Sequence, residues 1–238
     1  MMTLKEAMKI RTSRRSFTDR PLSREVIHML ETQIQEANAH PGQLLDFHLV
    51  TNDKKAFSGL LKTYGLFSGV HSYIVAAGKA ENIKAQELLG YYGELMVLKA
   101  AAMGVASCWV GASYDKSYVG QKLPPSDKLY CVIALGYAND HSSMGEKLAR
   151  RFIRHDHTPD EVMEVDGSKQ PPRWFMDGIN AVLTAPSARG KLPVHFSLKN
   201  GIVTCHADEN MGYEYIDLGI AKLHFELGAD YIFYDLRS

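Results

Sequence analysis

Hydrophobic positions along the chain switch repeatedly between helical and extended spacing. Leu4, Ala7, Met8 and Arg11 share one face of a short first helix, which ends at the broken run Arg14-Arg15-Ser16-Phe17-Thr18-Asp19-Arg20-Pro21. Ser23 is a good N-cap for a second helix, in which Ile27, Leu30, Ile34 and Ala37 recur before His40-Pro41-Gly42. Phe47-His48-Leu49-Val50 reads as a strand closed by a turn at Asn52-Asp53, with a short helix predicted between Lys54 and Leu61. Tyr73 to Ala77 and Tyr130 to Tyr137 are continuous apolar runs of strand length. Between them, Gln86 to Met103 is apolar on nearly every side, which predicts a helix at the centre of the structure, closed by Gly104.

Residues 138 to 163 are polar, with Lys147, Arg150, Arg151 and Arg154 clustered, and Gly167 to Pro172 looks like a connector. An earlier order then returns. A helix from Arg173 to Leu183 leads into the loop Ala185-Pro186-Ser187, followed by a strand at His195 to Leu198 and a hairpin signal at Asn200-Gly201 before Ile202 to Cys205. A second long helix, Tyr213 to Leu227, is expected to close at Gly228, with a last strand at Tyr231 to Tyr234. Phe47 aligns with His195, Gly42 with Gly190, Tyr91 with Tyr215 and Gly104 with Gly228, which suggests a divergent duplication. Coincidental similarity of two α+β segments explains the same order.

Composition narrows the possible functions. With 238 residues, 45% hydrophobic and 23% charged, the chain has the make-up of one large domain or two halves. Lys+Arg 27 balances Asp+Glu 27, which argues against a nucleic-acid coat or a polybasic membrane binder. No apolar run reaches the ~20 residues of a membrane span, and Met1 to Glu6 carries charge where a signal peptide needs an apolar core. A cytoplasmic location is the expectation. Cys108, Cys131 and Cys205 lack metal-ligand spacing and sit in apolar stretches, so they read as core residues, and no metal is expected.

Three features stand apart from core building. Arg14-Arg15-Ser16 is either a solvated basic turn or an anion clamp, since guanidinium forks grip phosphate bidentately and a hydroxyl adds a donor. Ala185 to Lys191 is either an ordinary helix-ending loop or a place where backbone approaches a flat or phosphorylated ligand. Lys147 with Arg150 and Arg151 either neutralises a phosphate or lies in water. No GxGxxG, P-loop, HExxH or GxSxG occurs, and His48, His195 and His224 read as structural histidines.

The order of Arg14-Arg15-Ser16-Phe17, the apolar helix running into Cys108-Trp109-Val110-Gly111, the strand ending Leu135-Gly136-Tyr137, and Lys147 with Arg150 resembles the FMN-dependent nitroreductase family. Ala185 to Phe196 resembles that family's Ala-Pro-Ser loop, here in the second half, as in the branch whose single chain holds two related halves. The resemblance implies an α+β fold with an antiparallel-rich sheet in each half. The halves, residues 1–155 and 156–238, would form an intrachain pseudo-dimer around the two long helices.

It further implies FMN held in a cleft between the halves. Arg14, Arg15 and Ser16, the Val110-Gly111 edge, and Lys147 and Arg150 would come from the first half. Pro186, Ser187 and Ala188 would come from the second, with Lys191 as a replacement cation near the pyrimidine. Arg14, Lys147 and Arg150 would take the phosphate, Ser16 and Ser187 ribityl or pyrimidine oxygens, and a backbone N–H near Gly111 the reactive nitrogen; no side chain need act as acid or base. One FMN per chain is expected, because the first half reads Ala37-Asn38-Ala39-His40 where the Pro-Ser loop would stand. The implied partners are NAD(P)H and an electron-poor acceptor such as a nitroaromatic or quinone, with the protein a monomer or a homodimer. Thr18, Gly190 and Leu192-Pro193-Val194 depart from the family pattern and remove a cation and two amides that usually face the flavin. They favour a rival reading, a catalytically silent flavin-binding or interaction module.

Overall fold

In a computed structural model of the chain, residues 2–58, 66–121, 123–139, 156–165 and 170–236 are described. Helix α1 (Leu4–Ile10) starts at a capping box in which Thr3 and Glu6 satisfy each other's backbone N–H groups. Helix α2 (Arg24–Asn38) is capped by Ser23, whose hydroxyl accepts from the Val26 N–H. Strands β1 (Leu45–Val50), β2 (Ser72–Lys79), β3 (Ala106–Val110) and β4 (Asp127–Gly136) form an antiparallel sheet in the order β1-β2-β4-β3. Helix α3 (Ile83–Ala102) lies between β2 and β3, and the short α4 (Lys116–Gly120) between β3 and β4.

Period-two alternation splits the sheet's side chains between two cores. Ile74, Ala76, Cys131, Ile133 and Leu135 face the main core with α3. Tyr73, Val75, Ala77, Val132 and Ala134 face a second cluster with Phe17, Phe57 and Tyr114. Both inner strands are therefore apolar without interruption, because both of their faces are buried.

The remaining chain forms α5 (Pro159–Val162), β5 (Met163–Val165), α6 (Arg173–Val182), a 3-10 turn at Ala188–Gly190, β6 (Val194–Lys199), β7 (Ile202–Ala207), α7 (Glu214–Ala229) and a 3-10 turn at Tyr234–Leu236. Strand β5 runs parallel to β6, and β6 and β7 form an antiparallel hairpin.

The long helices α3 and α7 cross at two glycines. A Cβ on Gly90 would overlap the Ile216 carbonyl and crowd the Ile220 N–H, and a Cβ on Gly219 would overlap the Glu87 carbonyl and crowd the Tyr91 N–H. The contact is reciprocal: each helix offers its glycine to the same pair of backbone groups, three residues before and one after the glycine of the other. Gly90 and Gly219 thus occupy equivalent places in the helix crossing.

Two expectations need correction. Gly228 does not close the second long helix. It lies inside α7, where a side chain would come within 2.6 Å of Ala181 Cβ in α6, and Asp230 in the left-handed conformation ends the helix. Tyr231 to Tyr234 is not a strand. The Glu226 carboxylate accepts the Phe233 N–H and the Glu226 carbonyl accepts the Tyr231 N–H, folding this segment back onto the helix end. The helix expected from Lys54 begins only as turns, Ser58 N–H bonding Lys55 O, and its remainder lies outside the described residues.

Candidate functional site

The basic triplet after α1 is held as short bridges to the sheet. Ser13 pairs with Ser107, Ser16 with Ser68 and Phe17 with Ala138, and the Arg14 and Ser16 side chains both meet Asn139 whereas Arg15 does not. The Arg14 N–H donates to Ser107 O at 2.9 Å, and its guanidinium to Asn139 O at 2.7 Å. With Arg11, Thr12, Ser107 and Gly104 it lines a cleft of 180 Å³ at the start of β3. Arg14 brings a guanidinium to this region, and guanidinium forks suit an anion. Arg15 instead lies over the Phe67 ring, 5.9 Å from its centroid. Ser16 is 4% exposed; its hydroxyl accepts from the Asn139 side-chain amide at 2.9 Å and meets Ser68 Oγ at 3.1 Å.

At the other end of β3, Val110 is buried opposite Val132, and Gly111 follows. Gly111 stands four residues beyond Ser107, roughly 13 Å at ~3.3 Å per residue. The Tyr213 hydroxyl donates to its carbonyl at 2.8 Å, and a Cβ on Gly111 would come within 2.7 Å of that hydroxyl. Tyr213 precedes α7, so the far end of β3 is tied to the start of the second long helix.

The loop holding Pro186, Ser187 and Ala188 reaches the same helix end. The Ala188 N–H lies 3.0 and 3.1 Å from the two Asp217 carboxylate oxygens, and Ala188 O accepts from the Asn210 amide at 3.2 Å. Asn210 also donates to Asp217 at 3.0 Å, and Asp217 sits one turn beyond Tyr213. Within the loop, Ser187 Oγ accepts the Leu192 N–H at 2.8 Å, while Lys191 is exposed. Burial raises the Asp217 carboxyl to about 7, against the hydrogen bonds from Ala188 and Asn210 that favour its charged form. The start of α7 thus brings Gly111 and the Pro186–Ala188 loop together, while Arg14 lies at the opposite end of β3. Lys147 and Arg150 lie outside the described residues.

The two regions are also joined through the core. Arg11 Nε lies 3.7 Å from Glu94 Oε1, and Glu94 Oε2 accepts the Trp109 indole N–H at 2.8 Å. Glu94 Oε1 meets His224 Nε2 at 3.2 Å, and His224 Nδ1 lies 3.1 Å from Thr184 Oγ1, two residues before Pro186. Sequence reading placed Arg11 only on a helix face and missed Glu94, Asn139, Asn210, Tyr213 and Asp217. The available signal was polarity out of place, since Glu94 and Asp217 are acidic residues buried in two largely apolar helices. His224 is structural, as expected: it is fully buried and bonded at both ring nitrogens.

The family model described as "Putative TM nitroreductase" matches residues 3–229. The chain belongs to this nitroreductase family. Among solved structures, that of a "putative nitroreductase" from Thermotoga maritima MSB8 matches at a TM-score of 0.65 and 21% identity, over 95% of this chain and 83% of that one. It shares the nitroreductase-like fold. A nitroreductase with bound FMN from Bacteroides fragilis NCTC 9343 matches at 0.48 and 19% identity, over 60% of this chain and 92% of that one. An FMN-dependent nitroreductase from Clostridium difficile R20291 matches at 0.47 and 21% identity, over 64% and 98%. No curated protein matches the chain. Among the described residues, no helix of this nitroreductase-family chain is long and apolar enough to cross a membrane.

Proposed function

We propose that this chain is an FMN-dependent oxidoreductase that moves electrons from NAD(P)H to an electron-poor acceptor such as a nitroaromatic or quinone. The supporting observation is membership of the nitroreductase family over residues 3–229, together with an arginine-lined cleft at one end of β3 and the tethered Gly111 edge at the other. FMN, when bound, would supply the redox chemistry between nicotinamide and acceptor. At the phosphate end Arg14, which lines the cleft, would offer a guanidinium donor, with Lys147 and Arg150 as further cations from the same half, while Arg11 is engaged by Glu94. Arg15, facing Phe67, has the lesser role.

At the ring end, Val110, Gly111, Pro186, Ser187, Ala188 and Lys191 would frame the flavin across the start of α7. In this reading residues 1–155 and 156–238 are two related halves, a division supported by the reciprocal crossing of Gly90 and Gly219. One FMN is bound per chain, and the protein works in the cytoplasm as a monomer or a homodimer.

A second reading, a nitroreductase fold that binds without catalysing, is favoured by a specific observation. Tyr213 covers Gly111, and the hydroxyls of Ser16 and Ser187 are already engaged within the chain. Purified protein that is yellow and bleaches anaerobically on NADH or NADPH supports the enzyme. Yellow protein that neither nicotinamide reduces supports the silent module. Failure to take up FMN at all sinks both, and two FMN per chain at saturation refutes the single-site part.

A further inference from the structure

We propose that the β6–β7 hairpin carries a binding site for one divalent transition-metal ion of the zinc class, with His195, His206 and Asp208 as its ligands. Antiparallel register places His195 directly opposite His206, so both imidazoles stand on one face of the ribbon, with centroids 5.0 Å apart and planes inclined by 25°. Asp208 follows two positions after His206 and therefore returns to that face. Its N–H donates to Pro193 O at 2.9 Å, which extends the ladder past β7 and fixes its place. Its carboxylate meets His195 Nε2 at 2.9 Å.

One nitrogen from each ring and one carboxylate oxygen lie within 4.8 Å of one another. Ligand atoms ~2.1 Å from a tetrahedral ion stand about 3.4 Å apart, so partly exposed side chains need only small rotations to close around it. The donor set selects the ion. Two imidazoles and one carboxylate suit Zn²⁺, Ni²⁺, Co²⁺ or Cu²⁺, whereas Mg²⁺ and Ca²⁺ require oxygen donors. The alternate positions Phe196 and Cys205 pack towards the main core, so they back the ribbon without entering the site. Three protein ligands leave a fourth position for water or an outside ligand. The proposal departs from the sequence expectation of no metal, because strand pairing brings together ligands that are separated in sequence. It does not rest on the flavin reading.

The test is isothermal titration of the chelator-treated full chain with Zn²⁺, with far-UV circular dichroism confirming that each variant is folded. Wild type is expected to bind one ion per chain with micromolar affinity. His206→Gln and Asp208→Asn should each weaken binding at least about tenfold. The double variant H195Q/H206Q should abolish it, while His28→Gln, an exposed histidine on α2, should leave it unchanged. Absence of micromolar binding by wild type, or an unaltered isotherm in the folded double variant, would overturn the site.

Discussion

His224 Nε2 lies 3.2 Å from Glu94 Oε1, and both side chains are wholly excluded from solvent. The two residues come from the two long helices and stand 130 positions apart, so this contact exists only when α7 has docked on α3. Glu94 also takes the Trp109 indole N–H, whose one donor has no other use. Truncating Glu94 therefore leaves a buried histidine, an indole and the Arg11 guanidinium without their acceptor. Glu94→Ala should cost about 3–5 kcal/mol of unfolding free energy, as removal of one member of a buried polar pair does. Glu94→Gln, which keeps an oxygen acceptor, should cost less. Urea denaturation reads both, and a Glu94→Ala loss below about 1 kcal/mol would show that the network adds little.

Gly219 sets two effects against each other. In a helix interior, Gly→Ala gains roughly 1 kcal/mol of propensity. At this position the new methyl would overlap the Glu87 carbonyl of the crossing helix, and backbone cannot rotate away as a side chain can. The collision wins: Gly219→Ala should destabilise by about 3 kcal/mol or more, as severe overpacking does. The same change at Gly90 should cost a similar amount, since the contact is reciprocal. Thermal denaturation of the two variants checks this, and a raised melting temperature in either would mean that the helices are not in close contact there.

Much of this architecture was legible as pattern. The elements Ile83–Ala102 and Asp127–Gly136 are long apolar runs, and burial on every side is what such runs require. Ser23 capped its helix as its residue type implies. The failures occurred where a local signal serves tertiary packing. Gly228 resembles a helix stop, yet its missing side chain is what allows α6 to approach. Tyr231 to Tyr234 has strand composition, but the buried Glu226 carboxylate captures its backbone. At the candidate site, Arg14 and Ser16 both reach Asn139 while Arg15 between them lies over Phe67, because alternate residues of an extended segment point to opposite sides. Asp217 and Tyr213 have no short motif to announce them. They matter because helix packing delivers them to Gly111 and Ala188.

That divergence separates the two arginines experimentally. Arg14 lines the cleft at the start of β3 and bonds Asn139, whereas Arg15 lies over Phe67. Arg14→Ala should weaken FMN binding by about 10- to 100-fold, matching the 1.5–3 kcal/mol of a hydrogen bond to a charged group. Arg15→Ala should change it by less. Flavin fluorescence titration of each variant gives the comparison. The reverse order would move the phosphate to the Phe67 side of the triplet.

The last prediction concerns pH. Burial raises Asp217 in the folded chain to about 7, from an ordinary value of 3.8, and the unfolded chain restores the ordinary value. Below about pH 4 the carboxyl is protonated in both states and imposes no pH-dependent penalty. Between about 4 and 7 the unfolded chain releases the proton while the folded chain keeps it, so the folded state binds more protons and stability falls as pH rises. Above 7 both states are ionised and the loss levels off, at a few kcal/mol in total. Asp217→Asn removes the titration while keeping an oxygen to accept the Ala188 N–H, although it loses the acceptor for the Asn210 amide. Urea denaturation from pH 4 to 8 should therefore show wild type losing stability relative to Asp217→Asn as pH rises to about 7, and running parallel to it beyond. A difference between the two proteins that stays constant across that range would mean that Asp217 is ionised throughout. The start of α7 would then hold a fixed negative charge beside the Pro186–Ala188 loop.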